Sequence, residues 1–222
     1  MNSKRLLKED LDRDCKELAV YLLGKVLVRK LEDDTVLQGR IVETESYLGT
    51  EDKASHSYNN RRSAANEPMY MEVGTCYVYM TYGMFFCMNI SSREPGAAVL
   101  IRALEPLSGI DTMEKLRVKK LKGTKSSLKI KDLCNGPAKL CNAMNITKEA
   151  LNKVNIADLQ NEQIWLEDDP NYNKEDKKIV QTSRIGIASA GAEWAAKPLR
   201  YYILNNECVS KRDKTAERNL DV

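Results

Sequence analysis

YVYMTYGMFFCMN, residues Tyr77 to Asn89, is two short apolar runs broken at Tyr82-Gly83, the pattern of two antiparallel strands joined by a tight turn. Side chains alternate faces along a strand, so Tyr77, Tyr79 and Thr81 share one side and Val78 and Met80 the other. Only 6% of the chain is aromatic, yet Tyr77, Tyr79, Tyr82, Phe85 and Phe86 all fall here. Tyrosine is an odd turn residue, and a ring at a tip packs no core. Exposed apolar side chains on a protruding ribbon are the device by which minor-groove proteins push between base steps. Rings deeper along such a ribbon make platforms on which an extruded base stacks.

The rest of the chain supplies a sheet for that hairpin. Leu11, Cys15, Leu18 and Leu22 recur at helical spacing before Gly24, predicting one amphipathic helix with a glycine stop. KVLVRKL, an Asp33-Asp34 turn and TVLQGRIVETESYL predict two strands of a meander, and GAAVLIRALEP a strand buried on both faces. Ile110 to Lys120 is helical in pattern, and Pro137 opens another helix in NGPAKLCNAMNI. SYNNRRSAANEP, Ser57 to Pro68, has turn residues and no period, so it is a loop. SRIGIASAG and PLRYYIL predict two last strands. The polar ends, about 1–8 and 212–222, are expected to be loosely ordered. The fold class is therefore α+β: a single domain over residues 1–222, with a mainly antiparallel curved sheet, flanking helices and a protruding hairpin.

At 222 residues, 42% hydrophobic and 30% charged, the chain is long enough to bury a real core. A net charge of +3 argues neither for nor against nucleic acid. RVKKLKGTKSSLKIK, Arg117 to Lys131, is basic without one acid, while EDDPNYNKED, Glu167 to Asp176, is dense in acid. The basic stretch is either a solvated loop or a surface that meets phosphates. Six scattered cysteines without a CxxC, and His56 as the one histidine, predict reduced thiols and no metal. No run approaches the roughly 18 apolar residues of a membrane span, and the N-terminus lacks a signal-peptide core. The expectation is a soluble intracellular protein with no membrane partner.

GRIVETESYLG holds the sharpest chemical clue. Ile41, Glu43, Glu45 and Tyr47 point to one face, with the two carboxylates roughly 6–7 Å apart at ~3.3 Å per residue. On a solvent face they are ordinary surface charges; lining a cleft, a second acid and an adjoining ring would raise one pKa into the range of a general base. His56 is either a structural hydrogen bonder or a ring that stacks on a flat substrate. Arg61 and Arg62 belong either to an exposed loop or to a phosphate clasp.

GRIVETESYLG…DKASHS, GTCYVYMTYGMFFCMNISS, VLIRALEP, NGPAKLC and AAKPLRYYI, in this order from about Leu18 to Val209, resemble the successive motifs of the mammalian-type alkyladenine (3-methyladenine) DNA glycosylases. The resemblance implies that Glu45 positions and deprotonates the water that attacks the sugar C1′, with Arg102 near that water and the target phosphate. It implies that Tyr47 stacks on one side of the flipped base and His56 and Tyr79 on the other. It places Tyr82 in the gap the nucleotide leaves, Met84 beside it in the groove, and Asn89 against the exocyclic amine of guanine. Arg61 and Lys139 fall at backbone contacts. Phe85 and Ala188-Ser189 depart from the pattern, which leaves fine base preference open. The implied reaction is hydrolysis of the N-glycosidic bond of 3-methyladenine-type purines or hypoxanthine in duplex DNA, the first step of base excision repair. No strand cleavage is implied, since no lysine matches a Schiff-base nucleophile, and no cofactor. The implied protein is a monomer, nuclear in a eukaryote and cytoplasmic in a bacterium. A non-catalytic lesion binder on the same scaffold would keep Tyr82 and lose Glu45. A glycoside hydrolase would use Glu43 and Glu45 as its acid pair, but both lie on one strand and leave Tyr82-Gly83 without a purpose.

Overall fold

One long strand that changes partner halfway along its length organises the sheet. The structure, a computed structural model, describes residues 4–120, 128–169, 172 and 178–220. Helices α1 (Lys8–Leu11) and α2 (Cys15–Leu22) lead into β1 (Val26–Lys30), β2 (Val36–Tyr47), the hairpin β3 (Cys76–Thr81) and β4 (Phe85–Ser91), and β5 (Ala98–Ser108). Helices α3 (Ile110–Lys120), α4 (Ile130–Leu133), α5 (Pro137–Ala143) and α6 (Lys148–Leu151) follow. The chain ends with β6 (Ile164–Glu167), β7 (Ile179–Thr182), α7 (Ala192–Ala196), β8 (Arg200–Ile203) and α8 (Lys214–Arg218). The sheet order is β3-β4-β5-β2-β1-β6, with β8 joining β2 to β7 and every pairing antiparallel. The α+β expectation holds.

Strand β2 lies against β5 over nearly all its length. Its other edge pairs with β1 from Val36 to Arg40, then with β8 from Glu43 to Glu45. Register shifts between Ile41 and Glu43 and between Glu43 and Thr44 mark the changeover. A bulge bends a strand and re-aims its side chains. Beyond it, Thr44 Oγ1 donates to the Ala19 carbonyl (2.9 Å) and Ser46 Oγ to the Cys15 carbonyl (3.2 Å), both on α2. Glu43 and Glu45 alternate with those two, and the partner strands β5 and β8 bring arginines alongside them.

The main core gathers α2, β1, β2, β5 and α5 side chains, and Val78 and Met88 carry one face of the hairpin into it. The helix over Leu11 to Leu22 is in fact two. Asp14 caps α2 by accepting from the Glu17 amide (2.9 Å), so Leu11 closes α1 instead, although all four periodic residues remain fully buried. SRIGIASAG is not a strand. The strand lies just before it, as β7, and Gly186 and Gly191, at φ +79° and +88°, turn the segment into a loop. Strand β6 lay unannounced in the four residues IWLE.

Among the described residues near the two ends, several backbone and side-chain contacts tie the chain to the sheet. The Leu6 amide donates to the Leu166 carbonyl (2.8 Å). Asp213 caps α8, and Glu217 on that helix accepts from Tyr202 (2.9 Å) and Arg212 (2.7 Å). Residues 121–127 of the basic stretch Arg117 to Lys131, and 170, 171 and 173–176 of the acidic stretch Glu167 to Asp176, lie outside the described residues. All six cysteines are buried free thiols. No helix among the described residues is long and apolar enough to cross a membrane.

Candidate active site

The partner change in β2 buries both of its acids, which excludes the surface-charge reading. Glu43 and Glu45 are each 0% exposed. Arg102, opposite them on β5, lies 3.4 Å from Glu43 Oε1 and 3.2 Å from Glu45 Oε1. Arg200, on β8, donates to Glu43 Oε1 (2.8 Å), and the Ser210 amide to Glu43 Oε2 (2.7 Å). The pair is therefore not two bare carboxylates repelling each other: guanidinium groups sit between and beside them. Burial works against the Arg102 charge, but Glu45 and Glu43 more than offset it and raise its pKa.

Glu45 is held on three sides. Its Oε1 accepts from the Ile185 amide (2.8 Å) as well as facing Arg102, and its Oε2 accepts from the Tyr47 hydroxyl (3.0 Å). A carboxylate offers about four lone-pair sites, so capacity remains for a water. Burial, then the Glu45 charge, push the Tyr47 phenol well above its usual pKa, so it stays a donor. A cleft of about 450 Å³ opens above this cluster, lined by Tyr47, His56, Tyr77, Tyr79, Asn89 and Arg102 among others. That volume is within the ordinary range for a small-molecule site.

The hairpin makes one wall of the cleft. The Tyr77 and Tyr79 rings lie 5.2 Å apart, and His56 meets Tyr79 edge-on at 4.7 Å. His56 Nδ1 and the Tyr77 hydroxyl share a 2.7 Å hydrogen bond, which fixes the imidazole ring. Burial, then Arg61, lower the His56 pKa, so the ring is neutral at physiological pH. Asn89 stands directly across from Tyr77 in the ladder and donates from Nδ2 to its carbonyl (3.1 Å). At the far end Tyr82 (φ +52°) and Gly83 (φ +69°) form the turn, closed by the Met84 amide donating to the Thr81 carbonyl (3.3 Å). Tyr82 is 87% exposed and Met84 61%.

The fold thus brings Tyr47, His56, Tyr79, Asn89 and Arg102 to the wall of one cleft, with Tyr82 at its rim; Glu45 does not itself line the cleft but lies behind that wall, in contact with Tyr47 and Arg102. Arg61 is exposed and lines an adjoining groove of about 1020 Å³ that also touches Tyr82 and Lys148. Lys139, on α5, does not line the cleft and donates to Asn135 Oδ1 (2.7 Å), whereas Pro137 at the start of that helix does line it. Among the described residues no group of three or more His, Cys, Asp or Glu is placed to hold a metal ion.

The chain as a whole has counterparts among known proteins. Residues 9–207 match the family model described as methylpurine-DNA glycosylase. The chain belongs to the methylpurine-DNA glycosylase family. It is 49% identical over 216 residues to a DNA-3-methyladenine glycosylase of Homo sapiens, an alignment covering 97% of this chain and 71% of that protein. Identity to the DNA-3-methyladenine glycosylase of Mus musculus is 48% over 218 residues, 98% of this chain and 64% of that protein. A Clostridium perfringens relative, 46% identical over 211 residues, is covered along 100% of its length.

Several groups that shape the cleft of this glycosylase-family chain left no mark in the sequence pattern. Tyr77 was visible only as one ring among several, not as the partner of His56. Arg184 and Asp52 form a buried ion pair (2.5 Å) under Tyr47, and Arg200 secures Glu43. Arg184 lies in the segment that looked like a strand. No spacing rule joins it to Asp52, because the contact spans 132 positions.

Proposed function

We propose that this chain is a monofunctional DNA glycosylase that hydrolyses the N-glycosidic bond of alkylated or deaminated purines flipped out of duplex DNA. The observation that carries the proposal is Glu45: a fully buried carboxylate at the foot of an aromatic cleft, bound by Arg102 and by the Tyr47 hydroxyl. Within a family named for methylpurine-DNA glycosylase, that is the group expected to hold and deprotonate water.

In the proposed reaction the C1′–N bond breaks and the purine leaves with its electron pair. Water adds to C1′ of the developing oxocarbenium ion, and Glu45 takes the water's proton. Arg102, cationic in the same pocket, steadies the carboxylate and the nearby phosphate. The flipped base stacks between Tyr47 on one side and His56 and Tyr79 on the other, each stacked base contributing roughly 1–3 kcal/mol against a flipping cost of a few. A cationic alkylated purine gains further from electron-rich rings. Asn89 crowds the exocyclic amine of guanine, and Tyr82, with Met84 beside it, fills the gap left in the duplex. Arg61 and Lys139 are assigned to backbone phosphates, which makes binding salt-dependent. The protein acts as a monomer inside the cell, on double-stranded DNA, without a cofactor.

The test is single-turnover release of hypoxanthine from a duplex, read as strand breaks after hot alkali, for wild type and Glu45→Gln. Loss of general-base catalysis lowers the rate by about 10²–10⁴-fold, while lesion binding persists. Binding without release by wild type, for an alkylated purine as well as hypoxanthine, would make the chain a lesion-binding protein instead.

A further inference from the structure

We infer that Arg184, clamped by Asp52, is the positioning residue of this site, setting the plane of the Tyr47 ring and the orientation of the Glu45 carboxylate. The inference rests on the activity proposed above. Tyr47 lines the cleft; Arg184 and Asp52, 5% and 0% exposed, do not. The Arg184 guanidinium lies 4.7 Å from the centroid of the Tyr47 ring. A base stacked on Tyr47 as proposed above would take the ring face opposite the guanidinium.

The clamp reaches three segments. Arg184 donates as a fork to both Asp52 oxygens (2.5 and 2.9 Å) and from Nη1 to the Ser46 carbonyl (2.9 Å), next to Tyr47. Asp52 also accepts from the Leu48 amide (3.1 Å) and the Ala54 amide (3.0 Å), bracing the loop that delivers His56. The residue after Arg184, Ile185, donates its amide to Glu45 Oε1 (2.8 Å). One buried pair thus fixes the strand end that carries Tyr47, the loop that carries His56, and the donor that aims Glu45.

Stability alone is a weak reason to keep such a pair, since buried ion pairs are often matched or bettered by apolar replacements. A planar fork supplies fixed geometry, which a lysine at the same place does not. The molecule holds its own control. Arg40 pairs with Asp169 (2.6 Å) and Glu105 (2.7 Å) and lies 4.7 Å from the ring centroid of Tyr172, a like guanidinium–ring contact without the two-oxygen fork, and none of these four residues lines the cleft.

The experiment compares wild type, Arg184→Lys, Asp52→Asn and Arg40→Gln in single-turnover release of hypoxanthine, reading rate constant and amplitude separately, with affinity for an abasic duplex and melting temperature. Misplacing reacting groups by about 1 Å costs on the order of 10²-fold in rate. Arg184→Lys and Asp52→Asn should show that loss in the rate constant, with amplitude and abasic-DNA affinity near wild type. Arg40→Gln should lower the melting temperature and leave the rate constant alone. A wild-type rate constant in both cleft variants, with only amplitude or melting temperature reduced, would mean the pair is merely structural. A fluorescent purine analogue at the lesion position reads stacking on Tyr47 without any cleavage. Arg184→Lys should shift its emission in the bound complex, and unchanged emission overturns the inference. Absence of release by wild type would instead sink the activity, not the clamp.

Discussion

The two ends of one hairpin are built on opposite principles. At the base, Tyr77 and Asn89 face each other across the ladder, both buried, joined by a side-chain hydrogen bond and tied to His56. At the tip, five residues along the chain from Tyr77, Tyr82 stands 87% exposed in a left-handed backbone conformation and touches no core. A bulky residue in that conformation costs about 1–2 kcal/mol, which Gly83 beside it avoids. The base end is held in one geometry by its surroundings, as a pocket must be. The tip accepts strain to display a ring in solvent, which in the function proposed above is stability given up for a contact with DNA.

The sharpest way to break this contrast is from below the base end. Arg102→Met leaves Glu43 and Glu45 buried with the cation between them removed, and breaking a buried pair typically costs roughly 3–5 kcal/mol. Urea unfolding should register that loss together with loss of base release; an unfolding midpoint equal to wild type would show that Arg200 and backbone amides suffice. At the tip the expected sign is reversed. Tyr82→Asn relieves the left-handed strain, because asparagine tolerates that region, and should stabilise by about 1 kcal/mol while weakening lesion binding. Thermal unfolding and a binding titration on the same variant test both halves, and unaltered binding would remove the wedge role.

Asn89→Ser sharpens the comparison at the base. It removes the hydrogen bond to the Tyr77 carbonyl, a loss of about 1 kcal/mol, and opens room beside the guanine amine. Release of undamaged or mismatched guanine should rise; no rise means that Asn89 does not exclude guanine. The smallest effect is in pH. His56 titrates below its usual 6.5 in the folded chain, chiefly through burial. The unfolded chain therefore binds the extra proton first as pH falls, and folded stability declines below about 6.5 until the folded pKa is passed. His56→Gln should flatten that segment of the stability-pH curve; a curve identical to wild type would assign the slope to another group.

What was legible in the sequence was local. The hairpin, the meander around Asp33-Asp34, the Ile110 to Lys120 helix and the Pro137 helix start all follow from side-chain period and turn chemistry within a few residues. The misreadings are local features that a longer-range contact overrode. The Leu11 to Leu22 period is continuous, yet Asp14 and Glu94 both bind amides at the start of α2 and split it. SRIGIASAG has strand-like residues, but its glycines and the Arg184 and Ile185 contacts commit it to the cleft.

The candidate site shows the same division. Glu45, Tyr47, Tyr79 and Tyr82 were singled out by alternation and by an aromatic cluster in a chain otherwise poor in rings. By itself the sequence determined which side chains share a strand face and where the turns fall, because those depend on nearest neighbours along the chain. The tertiary structure alone decided that β2 would exchange β1 for β8 at its bulge, that both acids would be buried against arginines, and that Arg184 would lie behind Tyr47. The deciding contacts, Asp52 to Arg184, Glu45 to Ile185 and Glu43 to Arg200, span 132, 140 and 157 positions. Charges so far apart in the chain carry no shared period, and only closure of the sheet brings them within hydrogen-bonding distance.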